Sequence, residues 1–246
     1  MAFDLHGTTA VLLPGTGSDD DYIRRVFSAP LQQVGAGLIA PRPEPDRLIA
    51  GYLAALDDAA ARSGPIIAGG VSIGAAVAAA WALQHPRQVV AVLAALPAWS
   101  GTPDGAPAAQ AARFSAGQLR RDGLAAVVAE MRASSPAWLG DELTRSWTAQ
   151  WPQLPDALEQ AAAYVAPTLT ELGKLSVPMG VAAAVDDLVH PLPVAAEWAD
   201  AAPRAALCTV TLDEMGADPT VLGAASLTAL GQASLDGMGG WGLTHM

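Results

Sequence analysis

Cys208 is the one cysteine in a chain of 246 residues, so no disulfide can form within it. Basic residues are also few: 13 Lys and Arg against 24 Asp and Glu give a formal net charge of −11 at pH 7. That sign repels phosphate backbones and anionic lipid surfaces, which sets nucleic acid aside as a partner. The opening stretch MAFDLHGTTA lacks a basic start leading into an apolar run, so no secretory leader is expected and a reducing cytoplasm is the simplest home. Internal repeats are missing too, and the only compositionally odd stretch is DGMGGWGLTHM, at the end of an expected flexible tail over 233–246. No His, Cys and carboxylate cluster has metal-ligand spacing, so neither a metal nor a cofactor is expected.

What is present is apolar: 52% of the residues are hydrophobic, enough for one large core without crosslinks. Residues 64–83, GPIIAGGVSIGAAVAAAWAL, run without a charge for about the length of a membrane span. The interior Gly-Gly-Val-Ser-Ile-Gly breaks such a helix, and the flanks lack basic anchors, so a buried strand turning sharply into a buried helix is expected instead. Short apolar runs bounded by turn residues recur at 9–13, 37–40, 65–69, 89–96, 179–185 and 206–212. Helical patterns over 45–64 and 74–86 separate some of these strand candidates. This alternation predicts an α/β fold with a doubly wound, mostly parallel sheet.

Between 99 and 176 the alternation stops and only helices are expected. Leu124, Val127, Val128 and Met131 follow i, i+3, i+4, i+7 spacing, and Leu139, Leu143, Trp147 and Trp151 step every four. We read this as a helical cap inserted into a core made of 1–98 and 177–232. Its tryptophan side either packs on the sheet domain or lines a pocket for an apolar substrate.

The chemistry centres on Ser72, flanked by Gly70 and Gly74 where a strand gives way to a helix. Small neighbours allow a tight, strained turn that thrusts Oγ outward, and the following helix aims its first amides at the same spot. Upstream, LLPGTGSDDD supplies a glycine loop in which the amide of Thr16, paired with that of Ile73, can form an oxyanion hole; the loop lacks the lysine of a P-loop and the full GxGxxG spacing. Downstream, VPMGVAAAVDDLVHP empties a strand into an acidic turn, making Asp187 the candidate orienting acid and Asp186 the alternative; either could instead cap the next helix.

The order PGTG, GVSIG, helical insertion and DDLVHP resembles the α/β-hydrolase fold over residues 7 to 231. The resemblance implies a Ser, acid, His triad with the histidine just after the last strand, in LCTVTLDEMGADPTVLGAASLTAL. At the matching position of MGADP stands Ala217. His6 precedes the first strand, at the wrong sheet edge, and His85 is expected roughly 20 Å down its helix from Ser72. His245 falls in the tail, which leaves His190, three residues past Asp187, as the alternative base. The expected protein is therefore a serine hydrolase scaffold for an ester or thioester of a small apolar acyl or aromatic compound. It would be nearly inactive for want of a base, with an imidazole-sized space beside Ser72. The other reading is a natural pseudo-hydrolase that binds a small ligand or a protein partner. Lyases, C–C hydrolases and cofactor-free oxygenases of the same fold also carry the histidine; a homodimer is left open.

Overall fold

The computed structural model describes residues 5–236. Six parallel strands, β1 (Thr9–Leu13), β2 (Gly37–Ile39), β3 (Ile66–Val71), β4 (Val89–Ala95), β5 (Met179–Ala184) and β6 (Ala205–Val210), lie in the order β2-β1-β3-β4-β5-β6. The apolar runs predicted from sequence are these strands to within two residues at each end. They are unbroken rather than alternating because both faces of the sheet are covered. Val11 and Leu13 of β1, with Ile66 and Ala68 of β3, pack into one core, while Ala10, Leu12, Ile67 and Val71 pack into the other.

Helices fill the two faces. α1 (Asp20–Gln33) and α10 (Thr220–Asp236) contact each other on the side of Leu12, where Ile23, Val26, Phe27, Leu222 and Leu230 are buried. On the opposite face lie α2 (Leu48–Ser63), α3 (Ile73–Gln84) and α8 (Leu192–Ala201), bringing Leu48, Tyr52, Leu56, Trp81 and Trp198. The uncharged run of 64–83 is thus β3 plus most of α3, and no helix among the described residues is long and apolar enough to cross a membrane. Helix α3 is buried over nearly its whole length, and its alanines let it lie close to the sheet.

Two glycines make that approach possible. A Cβ on Gly70 would strike the carbonyl oxygen of Leu13, and one on Gly74 would strike the same oxygen and lie 2.8 Å from the oxygen of Pro14. The three nearest neighbours of the Gly74 Cβ are all backbone at the end of β1, which cannot swing aside. Gly74→Ala is therefore expected to push α3 off β1 and destabilise the fold by roughly 1–3 kcal/mol, the usual cost of overpacking. A fall in the urea or thermal midpoint measures it; an unchanged midpoint would show that the corner has slack.

From the end of β4 the chain leaves the sheet and returns at β5. In between lie α4 (Pro107–Ser134), α5 (Ala137–Gln150), α6 (Leu154–Ala162) and α7 (Leu169–Leu172), the all-helical stretch expected from sequence. Gly123, at φ 77° and ψ 167°, breaks α4, so Leu124, Val127, Val128 and Met131 belong to a separately directed segment that packs on the core. The tryptophan stripe divides: Trp147 is buried, whereas Trp151 lies past the end of α5 and is exposed. At the far end, α10 continues to Asp236 with Ala233 buried, so the expected tail starts four residues too early; 237–246 lies outside the described residues. β6 is followed by a short helix, α9 (Leu212–Ala217), before α10.

Candidate active site

Ser72 sits between β3 and α3 with φ 55° and ψ −117°, a left-handed conformation that a side chain other than glycine adopts only under strain. Its own N–H is held by the carbonyl of Ala95 at 2.9 Å, at the end of the neighbouring strand β4. The hydroxyl is turned toward His190: Oγ lies 3.0 Å from Nε2 of the imidazole. On the other side of the ring, Nδ1 lies 2.7 Å from Oδ2 of Asp187. A carboxylate can only accept, so Nδ1 carries the proton, and Nε2 is left as the acceptor for the serine hydroxyl.

Local backbone chemistry explains how acid and base share one loop. Oδ1 of Asp187 accepts from the N–H of Val189 at 2.7 Å and of His190 at 3.1 Å, an Asx turn that doubles the chain back on its own carboxylate. Pro191 follows directly, which restricts the backbone of His190 and starts α8. The second carboxylate oxygen then meets the ring three residues on. Both side chains are largely buried, with 11% of Asp187 and 18% of His190 exposed. Burial alone disfavours the charged form of Asp187, yet the hydrogen bond and charge of the His190 ring, with the two amides, outweigh it and hold its carboxyl below the usual value.

This geometry corrects the sequence expectation on its central point. The space beside Ser72 is not vacant, because His190 fills it. Ala217 is the exposed last residue of α9, and its segment does not supply the group that meets Ser72. The resemblance placed the base after the last strand; here the Asx turn presents it after β5, one strand earlier. The signal was in the sequence as Asp-x-x-His-Pro, and what it lacked was the backbone direction. With an imidazole in reach of the hydroxyl, the expectation of a nearly inactive chain, and of a pseudo-hydrolase, loses the observation it rested on. Asp186, the alternative acid, is engaged elsewhere: its Oδ1 accepts from the N–H of Leu212 at 2.9 Å and ties the Asp187–His190 loop to the start of α9.

The two candidate oxyanion donors lie in the segments next to Ser72. Ile73 is the first residue of α3, so its N–H has no partner inside the helix. Thr16 lies in a turn closed by the Ser18 N–H to Gly15 carbonyl bond of 3.0 Å. That turn leans on the corner at Ser72, since a Cβ on Gly15 would be 3.5 Å from Cβ of Ser72. The hydrogen bond at Ser72 Oγ is with His190. His85 stacks on Trp81 and approaches its carbonyl at 2.9 Å, His6 lies against Gly35, and His245 is outside the described residues.

Above the glycine turn lies α5, an arrangement that sequence reasoning missed. Ser146 donates to the carbonyl of Gly17, and Gln150 Nε2 donates to that of Ser18 at 2.9 Å. Arg145 grips the buried Asp19 with two bonds of 2.6 and 2.9 Å, and Asp19 also accepts from the N–H of Tyr22 at 3.1 Å as the N-cap of α1. Burial opposes the Asp19 charge, but Arg145 and the Tyr22 amide keep its carboxyl below the ordinary range. Arg25 and Arg145 both bond Glu142, completing a charged clasp between α1 and α5. Arg24, Arg120 and Arg121 face Asp20, the pair Asp156 and Glu159, and Asp122 respectively. Tyr22 is buried under the clasp, and burial, with the charges of Glu142 and Asp187, keeps its phenol protonated far above neutral pH.

No family model matches the chain, and no curated protein matches it. Solved structures do. A hydrolase from Pseudomonas aeruginosa PA01 is 19% identical with a TM-score of 0.66, covering 90% of this chain and 89% of its own. A thermophilic esterase from Thermogutta terrifontis is 19% identical with a TM-score of 0.63 over 84% of this chain and 82% of its own. The enol-lactonase from Burkholderia xenovorans LB400 is 18% identical with a TM-score of 0.64 over 90% and 91%. At such identities the likeness speaks to architecture, and with the six-stranded parallel sheet, the strand–serine–helix corner and the helical insertion it leads to one statement: this chain has the α/β-hydrolase fold.

Proposed function

We propose that this protein is a serine hydrolase that cleaves an ester or thioester of a small apolar acyl or aromatic compound through an acyl-Ser72 intermediate. The observation that carries the reading is the continuous relay Ser72 Oγ, His190, Asp187 at 3.0 and 2.7 Å. A serine hydroxyl is almost fully protonated at neutral pH and needs an adjacent base. Nε2 of His190 takes the proton as Oγ attacks the carbonyl, and Asp187 stabilises the imidazolium that forms. The N–H groups of Ile73 and Thr16 hold the charge on the carbonyl oxygen, each such donor being worth roughly 3–4 kcal/mol in the transition state. Collapse expels the alcohol or thiol, which takes the proton back from His190; water, activated by the same nitrogen, then frees the acid and restores Ser72.

The four inserted helices act as a cap in this reading, with Trp147 and the apolar side of α4 bounding the acyl site. The test is direct: a fluorophosphonate probe should label the protein once, with the added mass on the peptide containing Ser72, and p-nitrophenyl acyl esters should give a burst of nitrophenol equal to the enzyme. Labelling that persists in Ser72→Ala would sink the assignment.

A further inference from the structure

Three of the nine large apolar side chains exposed among the described residues fall within five consecutive positions after β5: Val185 at 51%, Leu188 at 88% and Val189 at 41%. Apolar residues scattered singly over a surface are ordinary, but a group of them beside a site marks contact with something apolar. This run is the loop of the acid and the base, with Leu188 next to Asp187 and Val189 next to His190. The loop is also fixed in place. The N–H of Val185 donates to the carbonyl of Val210 at 2.9 Å, Oδ1 of Asp186 accepts from Leu212, and the carboxylate of Asp187 binds the amides of Val189 and His190. Leu188 is therefore held out in water by a tied loop rather than left there by slack.

The chemistry decides which part of a substrate meets this loop. On collapse of the tetrahedral intermediate, the bond from the carbonyl carbon to the departing oxygen or sulfur breaks, its electron pair stays on that atom, and Nε2 of His190 supplies the proton. The departing atom must come within hydrogen-bond reach of Nε2, roughly 2.6–3.2 Å. The leaving group thus lies on the His190 side, while the acyl group stays on Ser72. With about 3.8 Å between consecutive Cα atoms, the backbone of Leu188 is no more than roughly 8 Å from that of His190, a span of a few methylenes. The loop holds no Lys or Arg, and the carboxylates of Asp186 and Asp187 disfavour an anionic leaving group.

We propose that Leu188 and Val189 form a leaving-group subsite that selects esters or thioesters of uncharged, apolar alcohols or thiols with chains long enough to cover both side chains. This inference rests on the acyl-Ser72 reading and adds the half of the substrate that departs.

The experiment compares ethyl, butyl and hexyl butyrate, corrected for their rates in buffer, in the wild type, Leu188→Ser and Leu188→Met. A methylene fully withdrawn from water is worth roughly four-fold, and half that free energy on an open rim about two-fold, so kcat/KM should rise on the order of ten-fold from ethyl to hexyl. In Leu188→Ser the rise should shrink to about three-fold or less, and Leu188→Met should restore it. The ratio of p-nitrophenyl acetate to p-nitrophenyl butyrate turnover, which reads the acyl side, should be the same in all three proteins. A flat alkyl series in the wild type, a rise that survives in Leu188→Ser, or an equal change in the acyl series overturns the inference while the hydrolase reading stands. If Ser72 takes the fluorophosphonate but no alkyl ester turns over, protection of Ser72 by alcohols gives the answer. 1-Hexanol should then protect at lower concentration than ethanol in the wild type and lose that advantage in Leu188→Ser, and equal protection overturns the proposal. If Ser72 resists the fluorophosphonate altogether, both readings fall together.

Discussion

His190→Ala should lower acyl-ester turnover by roughly 10⁵–10⁶-fold, because removing the base from a serine triad costs about as much as removing the nucleophile. What remains, on the order of 10³–10⁴ over water, comes from binding and oxyanion contacts and should persist. The companion variant is Ala217→His, which places an imidazole where the fold's usual base stands. Since the Ser72 hydroxyl is already within 3.0 Å of His190, the added ring has no proton to take, and the rate should stay within about two-fold. A large gain in Ala217→His would return the base to the loop after β6, and near-normal turnover in His190→Ala would remove His190 from that role. Steady-state hydrolysis of p-nitrophenyl butyrate measures both.

Asp187→Asn is expected to reduce kcat by about 10⁴-fold with little loss of structure. An amide at this position can offer its NH₂ to Nδ1, which favours the tautomer with the proton on Nε2, the wrong side for accepting from Ser72. The same residue sets a pH dependence of stability. Its folded pKa lies below the ordinary carboxyl value, so the stabilisation is complete above that ordinary value and is lost as the pH falls through the lowered one. Acid unfolding followed by circular dichroism should therefore be shallower for Asp187→Asn than for the wild type across that window. Parallel curves would mean that the Asp187–His190 contact contributes nothing to folding.

Much of this was legible from sequence because strands and corner are local matters. A strand covered on both faces needs a short, unbroken apolar run, and IIAGGV or VVAVLAA can be read as nothing much else once flanking turns are seen. Ser72 was equally readable, since Gly70 and Gly74 are the residues whose Cβ atoms would collide with the end of β1. Errors arose where geometry overruled position. The base was sought by its place after the final strand, whereas the Asx turn of Asp187 delivers His190 from the same loop as the acid. The clasp joining Asp19 to Arg145 spans 126 residues, and no local pattern marks either as the other's partner. Trp147 stood in a stripe with Trp151, yet one is buried on Gly17 and the other exposed beyond the helix end.

The amino-acid order by itself determined the doubly wound sheet, the sharp corner at Ser72 and the helical insertion, because apolar runs, glycine spacing and helical periodicity act over a few residues. Which imidazole reaches the hydroxyl, which arginine closes on which carboxylate and what lies over the glycine turn were decided only by the tertiary structure. Those contacts depend on the directions of side chains carried by elements far apart in the chain, and such directions exist only once the sheet and its helices have packed.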